Sequence, residues 1–274
     1  MTRIEVPGRD IVGIRAANPS PFTLEGTNSW IVGREPAWLI DPGPALEEHV
    51  EALAAELSER GGLGGIALTH DHVDHAEAVP ALLARFPGTP VAAARGDVEV
   101  RMSDGSRFGP LEAVSTPGHA PDHLAFLARD PVAQRGDPMS QESGAAAFTG
   151  DAVLGEGSVF ISPYPGSLAA YLDGLERLRR RRPVLILPGH GPPVSAVEEK
   201  LDECVSHRLE RERRLLAALE SGRRTVDELL DEAWDDAPAS LRPAAAWTLA
   251  AHLDKLAAEG KLPEGVERPH LAAP

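Results

Sequence analysis

Residues 66–75 read IALTHDHVDH, and this segment carries the most information about the fold. Its first three residues are apolar and typical of a buried strand. Four side chains that can bind a cation follow within six positions, namely His70, His72, Asp74 and His75. Imidazole and carboxylate groups suit zinc and similar divalent cations. A strand would point His70 and His72 the same way, and a turn would carry Asp74 and His75 to a second ion, so the spacing predicts two metals.

Three later segments repeat this order of an apolar strand, a tight turn and a candidate ligand. They are Thr116-Pro117-Gly118-His119, Thr149-Gly150-Asp151 and Pro188-Gly189-His190. Glycine permits the backbone geometry that such turns need. The seven candidate ligands can divide three and three, with one carboxylate shared. The alternative is a set of unrelated structural histidines, which leaves the repeated design unexplained.

The rest of the chain alternates strand-like and helix-like segments, which predicts a layered α/β architecture. A hairpin is expected near residues 30–40, helices over 45–60 and 76–86, and a helix from an N-cap at Ser167 to Arg180. The polar stretch 129–144 is expected to be an exposed loop. Helices are predicted over 195–219, after the capping box at Thr225, and over 241–259. We therefore predict a catalytic domain in residues 1–194 and a small helical, winged-helix-like domain in residues 195–274.

Charge and composition restrict the classes of partner. The chain has 274 residues and a formal net charge of −15, which repels polyanions. Residues 195–274 hold 11 Lys and Arg against 17 Asp and Glu, so duplex DNA is an unlikely partner and a packing, dimerising or pocket-shaping role is expected. No segment reads as a signal peptide or membrane span, and the single cysteine, Cys204, cannot form an intramolecular disulfide. We expect a cytoplasmic protein without a membrane partner, either a monomer or a homodimer.

The string His70-x-His72-x-Asp74-His75, with His119, Asp151 and His190, resembles the motifs of the metallo-β-lactamase superfamily. The likeness covers nearly all of residues 11–194 and implies an αββα sandwich with a two-metal site at one edge of its sheets. More selective matches in residues 18–28, 39–43, 150–157 and 206–208 resemble the β-lactamase-like protein 2 group. That group carries a C-terminal winged-helix-like module.

The resemblance also implies a role for each candidate residue. The first zinc ion would be held by His70, His72 and His119. The second would be held by Asp74, His75 and His190, and Asp151 would bridge the two. Asp74 is expected to orient the nucleophile or move its proton, while Asp41 and His123 would support the ligands or contact the substrate. Two Zn²⁺ ions per chain are expected, with Mn²⁺ or Fe²⁺ as alternatives.

The expected activity is hydrolysis by a hydroxide that two zinc ions share. A small ester, thioester or lactone is the favoured substrate, because the chain is acidic. Metal-dependent cleavage of single-stranded RNA is the alternative, since the characterised members of the group that the chain resembles include a single-strand endoribonuclease. Related fungal proteins are thioesterases that act on carrier-bound polyketides. A non-catalytic, metal-binding regulator that associates with DNA is the third possibility.

Overall fold

Two β-sheets face each other in the computed structural model, which describes residues 1–128 and 144–270. The first sheet follows chain order and contains β1 (Thr2–Glu5), β2 (Ile11–Arg15), β3 (Asn28–Val32), β4 (Ala37–Ile40), β5 (Leu63–Ala67), β6 (Val91–Ala93) and β7 (Val100–Arg101). The second contains β8 (Arg107–Phe108), β9 (Leu111–Ser115), β10 (Leu124–Ala128), β11 (Ala146–Gly150) and β12 (Leu185–Pro188), in the order β12-β11-β10-β9-β8. Apart from Gly144, the loop predicted over 129–144 lies outside the described residues.

Helices cover the outer face of each sheet. The first sheet is covered by α1 (Glu47–Glu59) and α3 (Val79–Arg85), with the short α2 (Val73–Ala76) between them in the chain. The second sheet is covered by α4 (Ser167–Arg180) and the start of α5 (Val197–Glu220). The chain therefore has the predicted αββα arrangement of layers.

Strand alternation explains why both faces of each sheet are apolar. In β3, Trp30 belongs to the core between the sheets, whereas Ile31 belongs to the core beneath α1 and α3. In β11, Phe148 points between the sheets and Ala147 faces the helices. Successive strand side chains point to opposite faces, so a sheet that is covered on both sides needs nearly continuous apolar runs.

The C-terminal helices pack on the end of α5. They are α6 (Val226–Ala233) and α7 (Arg242–Ala258), preceded by a short 3₁₀ helix at Ala239–Leu241. Their core includes Leu219, Leu230 and Leu253, each less than 5% exposed. The predicted capping box begins α6, where Thr225 Oγ1 accepts a hydrogen bond from the backbone N–H of Glu228. In the described part of the chain, no helix has the length and apolar character needed to cross a membrane.

Two local expectations are wrong. β5 ends at Ala67, so His70 and His72 do not lie on a strand, and Asp74 and His75 lie in the helix α2. The strand stops because Asp41 Oδ1, rather than another strand, accepts the hydrogen bond from Thr69 N at 2.8 Å. Ser167 is not the N-cap of α4, since the left-handed Gly166 (φ 81°) takes that position and Ser167 is already helical.

Candidate metal centre

Loops and the short helix α2, at one edge of the two sheets, bring all seven predicted ligands together. The candidate ligand atoms form three sets, and within each set the atoms lie within 4.8 Å of one another. The sets are His70, His72 and His119; His70, His75 and Asp151; and Asp74, His75 and His190. The first and third sets match the two groups inferred from the sequence, and Asp151 lies between them.

Asp41 sets the orientation of two of these imidazoles. Its Oδ2 accepts hydrogen bonds from His75 Nδ1 at 2.9 Å and from Thr69 Oγ1 at 2.7 Å. The Thr69 hydroxyl in turn accepts a bond from His70 Nδ1 at 2.9 Å. Because both Nδ1 protons lead to one buried carboxylate, the Nε2 atoms of His70 and His75 are left as lone pairs.

Backbone carbonyls orient two further imidazoles in the same way. His119 Nδ1 donates to the Phe160 carbonyl at 3.3 Å, and His190 Nδ1 donates to the Gly26 carbonyl at 3.4 Å. Their Nε2 atoms point into the cluster, where His119 Nε2 lies 3.0 Å from His72 Nδ1. Five imidazoles thus present one nitrogen each to the same small volume.

The Asp151 carboxylate faces both groups of imidazoles. Its Oδ1 lies 3.4 Å from His75 Nε2 and from His190 Nε2, and its Oδ2 lies 3.6 Å from His119 Nε2. Burial opposes the charged form of Asp151, but His190 and His75 outweigh it and lower the pKa of Asp151 well below its ordinary value. Likewise, Asp151 and Asp74 raise the pKa of His190 to about 9 against the effect of burial. The carboxylates therefore stabilise positive charge at this point.

The residues fit a pair of divalent cations. Among the described residues, His70 Nε2, His75 Nε2 and Asp151 Oδ1 are buried atoms with no hydrogen-bond partner. Such atoms are costly in a folded protein unless they bind something. Imidazole nitrogens with a shared carboxylate are donors that zinc and iron accept. One metal at the first set and one at the third, with Asp151 between them, would satisfy these three atoms.

His123 and Gly189 support the centre without offering ligands to it. His123 is fully buried, accepts a hydrogen bond from Asp151 N at 3.1 Å and contacts Thr116 Oγ1 at 2.9 Å through Nδ1. It does not line the cavity described below, so it positions Asp151 rather than substrate. A Cβ on Gly189 would lie 2.7 Å from His75 Cε1 and 2.8 Å from Asp151 Oδ1, so only glycine fits there.

Asp74 lies at the open side of the cluster and lines the cavity. Its Oδ2 is 3.3 Å from His190 Nε2 and 3.3 Å from Thr27 Oγ1. His190 lowers the pKa of Asp74 although burial raises it, so the group is a carboxylate at neutral pH. Residues 23–28, which we call the flap, contact the centre through Thr27, and Asn28 donates hydrogen bonds to the carbonyls of Pro188 and Gly191.

A cavity of about 1190 Å³ extends from the candidate ligands to the C-terminal helices. Its walls include Phe22, Phe160 and Trp247. Sequence reasoning did not identify Phe160 or Trp247, and it missed Thr69 as well. The resemblance at residues 206–208 was a usable signal, since Arg208 in that segment lines the cavity and bonds the loop that carries Phe160.

Two other features of the sequence have structural explanations. Cys204 is buried, and burial raises the pKa of its thiol, so the thiol is neutral at physiological pH. Arginines are concentrated at the end of α4, in residues 177–182. Two of them bind the protein's own carboxylates: Arg179 pairs with Asp202 at 2.6 Å, and Arg181 pairs with Glu112 at 2.5 Å. Neither feature points to a separate ligand site.

Comparisons with known proteins identify the family. A model of the metallo-beta-lactamase superfamily matches residues 22–117, and a model of the beta-lactamase associated winged helix domain matches residues 225–264. The lactamase-like protein adaB of Aspergillus niger is 30% identical over 96% of this chain and 84% of its own length. The chain belongs to the metallo-β-lactamase superfamily. It carries the winged helix domain associated with that family at its C-terminal end.

Other members of the superfamily support this placement. The beta-lactamase-like protein 2 homolog of Caenorhabditis elegans is 29% identical over 95% of this chain and 87% of its own. The atrochrysone carboxyl ACP thioesterase of Aspergillus chevalieri is 32% identical over 78% of this chain and 67% of its own.

Solved structures share the fold. A beta-lactamase domain protein from Burkholderia ambifaria, 20% identical, has a TM-score of 0.77 over 96% of this chain and 91% of its own. A protein solved in a di-iron-bound form, 26% identical, has a TM-score of 0.50 over 70% of this chain and 96% of its own. The metallo-β-lactamase fold implies a bound divalent metal, and the ligand atoms described above offer the place for it.

Proposed function

We propose that the chain is a di-zinc hydrolase that cleaves an ester or thioester of an acyl substrate. The observation that carries the proposal is the convergence of five imidazole nitrogens and two carboxylates at the end of a large, mainly apolar cavity. The relative solved in a di-iron-bound form supports two metals, with iron as the alternative to zinc. The thioesterase among the relatives supports acyl transfer to water.

In this proposal the ligands divide as inferred from the sequence. His70, His72 and His119 would hold one cation, Asp74, His75 and His190 would hold the other, and Asp151 would contribute to both. When bound, the two cations activate water near neutral pH and stabilise the negative charge that develops on a carbonyl oxygen.

The chain's own residues prepare the site for this chemistry. Asp41 holds the Nδ1 protons of His75 and, through Thr69, of His70, so that both Nε2 lone pairs face inward. Asp74 lines the cavity at hydrogen-bond distance from Thr27, so its Oδ2 can hold or pass a proton of the attacking water. Residues of the flap and of the loop around Phe160 line the cavity beside the candidate ligands, where they would limit the access of water to a bound substrate.

The charge of the cavity favours an acyl substrate over RNA. Its basic lining residues, within the described part of the chain, are Arg95, Arg208 and Arg211. Arg95 pairs with Asp122 at 2.9 Å, and Arg211 pairs with Asp236 at 2.7 Å. RNA needs cations for successive phosphates. A DNA-associated regulator is disfavoured for the same reason, since the acidic face of α6 uses Asp227 and Asp231 to bind Arg242.

We further propose that residues 1–194 act as the catalytic domain and residues 195–274 as a helical domain that completes the cavity. Trp247 and Leu241 from the second part line the same cavity as Asp74 and His190 from the first. Removing the helical part would therefore open the cavity as well as expose the core that it covers.

Metal analysis and a substrate panel test the proposed function. Protein purified without chelator should hold about two zinc ions per chain and hydrolyse an acyl thioester or ester. His72→Ala should lower kcat/KM more than about 100-fold, because a ligand contributes more than its supporting partner. His270→Ala, outside the cavity, is the matched control and should retain full activity.

The proposal is contradicted if the purified protein holds less than one metal ion per chain and gains no activity when zinc, manganese or iron is added. Cleavage of single-stranded RNA that weakens steeply with salt, without any ester or thioester turnover, would favour the endoribonuclease instead.

A further inference from the structure

Three aromatic rings from distant parts of the chain form one wall of the cavity beside the candidate ligands. We call Phe22, Phe160 and Trp247 the aromatic wall. The Phe160 ring lies 4.5 Å from the His119 ring, 5.0 Å from the Trp247 ring and 6.2 Å from the Phe22 ring, measured between centroids. A group that contacts Phe160 therefore lies next to a candidate metal ligand.

Each ring comes from a different element. Phe22 precedes β3 in the turn-rich segment over the centre, Phe160 follows β11, and Trp247 belongs to α7. Phe22 is 44% exposed, and neither Phe160 nor Trp247 is fully buried. Large aromatic side chains are usually buried among apolar groups, so three partly open rings around one cavity mark a binding surface.

Hydrogen bonds hold Phe160 in place from three sides. Arg208 of α5, only 2% exposed, donates to the Val159 carbonyl. Thr248 of α7 accepts a bond from Ile161 N at 3.1 Å, and Ser162 N donates to the Gly118 carbonyl at 3.0 Å. The segment 158–162 thus links the C-terminal helices to the loop of His119. The Phe160 ring in this segment is therefore positioned before any ligand binds.

The volume and polarity of the cavity define its occupant. A cavity of about 1190 Å³ exceeds what an acetyl group needs and is large even for drug-sized ligands, whose pockets are about 300–1,000 Å³. Arg208 faces the ring of Tyr171 and bonds the Val159 carbonyl, while Arg95 and Arg211 pair with carboxylates. An uncharged, planar group fits the aromatic wall better than a carboxylate or a phosphate does.

We propose that the aromatic wall binds a planar aromatic acyl group and makes the enzyme selective for aromatic acyl thioesters. This inference rests on the proposed hydrolase function and adds the class of acyl group. In the bound complex, the ring of the acyl group stacks on Phe160 and Trp247 while its thioester carbonyl lies at the metal centre. The winged helix domain then has a part in selectivity, because it supplies Trp247.

The test compares two N-acetylcysteamine thioesters, 2-naphthoyl and acetyl, on the full chain loaded with zinc. The measured quantity is the ratio of kcat/KM for the naphthoyl thioester to that for the acetyl thioester. We expect Trp247→Ala and Phe160→Leu each to lower this ratio about tenfold, mainly through KM for the naphthoyl thioester. Trp247→Phe should keep most of the preference, since it retains an aromatic face. Leu209→Ala, on the exposed side of α5, is the matched control and should leave the ratio unchanged.

A binding measurement separates failure of this inference from failure of the proposed function. The probe is 2-naphthyl methyl ketone, which cannot be hydrolysed, titrated calorimetrically into the wild type and Trp247→Ala. If the wild type hydrolyses neither a thioester nor an ester, the proposed function is wrong, yet tenfold weaker ketone binding in Trp247→Ala still supports the aromatic wall. Equal kcat/KM ratios in the wild type and in both variants, or equal affinities for the ketone in the wild type and Trp247→Ala, overturn the inference.

Discussion

Replacing Asp41 with Asn tests whether one buried carboxylate sets the orientation of two metal ligands. Asp41 is 2% exposed and accepts hydrogen bonds from Thr69 N, Thr69 Oγ1 and His75 Nδ1 at 2.7–2.9 Å. Its backbone is left-handed (φ 49°), a conformation that Asn adopts as readily as Asp. The substitution therefore changes the hydrogen bonds with little backbone strain.

The magnitude follows from the bonds that Asn cannot make. The Asn amide can keep the bond to Thr69 N through its oxygen, but its NH₂ group then faces two donors. Each bond to a charged group contributes about 1.5–3 kcal/mol, so the loss of two should lower the free energy of unfolding by about 3–6 kcal/mol. His75 can relieve the conflict by moving its proton to Nε2, which removes the lone pair that faces the cluster. Supporting partners of metal ligands typically contribute 10–100-fold to metal affinity, and we expect a loss of that size.

The assay measures zinc affinity by competition with a chelating dye, together with thioester hydrolysis at saturating zinc. Urea denaturation in the presence of a chelator measures the change in the fold itself. Asp231→Asn, on the exposed face of α6, is the matched control and should change none of the three quantities by more than about twofold or 0.5 kcal/mol. Wild-type zinc affinity and turnover in Asp41→Asn would refute the reasoning, because the tautomers of His70 and His75 would then not depend on Asp41.

Three further predictions address the support of the site and the stability of the fold. Gly189→Ala should weaken zinc binding at least about tenfold by displacing His75, measured by the same dye competition; unchanged affinity would mean that the turn can move aside. Arg208→Lys should lower the free energy of unfolding by about 1–3 kcal/mol in urea, since the shorter Lys side chain does not carry its donors as far as Arg208 Nη2, which bonds both Ser158 Oγ and the Val159 carbonyl, and it lacks the planar guanidinium over Tyr171; an unchanged midpoint would contradict this. Burial lowers the pKa of His49 to about 4, whereas the unfolded chain has a value near 6.5. The neutral form is therefore favoured in the fold, and this contribution to stability is complete above pH 6.5 and is lost as the pH falls toward 4. His49→Gln should remove about 2 kcal/mol of the stability difference between pH 7 and pH 5, as followed by urea denaturation at each pH; parallel curves for the two proteins would contradict this.

The fold and the candidate ligands were largely predictable because their signals are local. The apolar runs at Trp30, Ile66 and Phe148 indicated buried strands, and the strands occur there. The seven candidate ligands were recognised from residue type, spacing and the glycine turns before His119 and His190. A metal centre needs donor atoms of a few kinds only, and such atoms are readable in a sequence.

Other features depended on contacts between residues far apart in the chain. The strand geometry expected for His70 and His72 failed because Asp41, 28 residues before Thr69, ends the strand at this point. No local pattern reports such a bond. The N-cap at Ser167 failed similarly, because a left-handed glycine can begin a helix without a side-chain cap.

Composition alone establishes the acidic character of this chain. Residue types and short spacings indicate its alternating strands and helices and its set of candidate metal ligands, because these patterns depend on residues that are near in sequence. The tautomers of His70 and His75, the position of Phe160 between His119 and Trp247, and the contribution of α7 to the cavity follow from packing of the sheets and helices. Phe160 and Trp247 are 87 positions apart and meet because Arg208 and Thr248 hold the segment 158–162, which carries Phe160, against α5 and α7. Such a meeting is a property of the whole folded chain, since its free energy is shared among many contacts that no short segment contains.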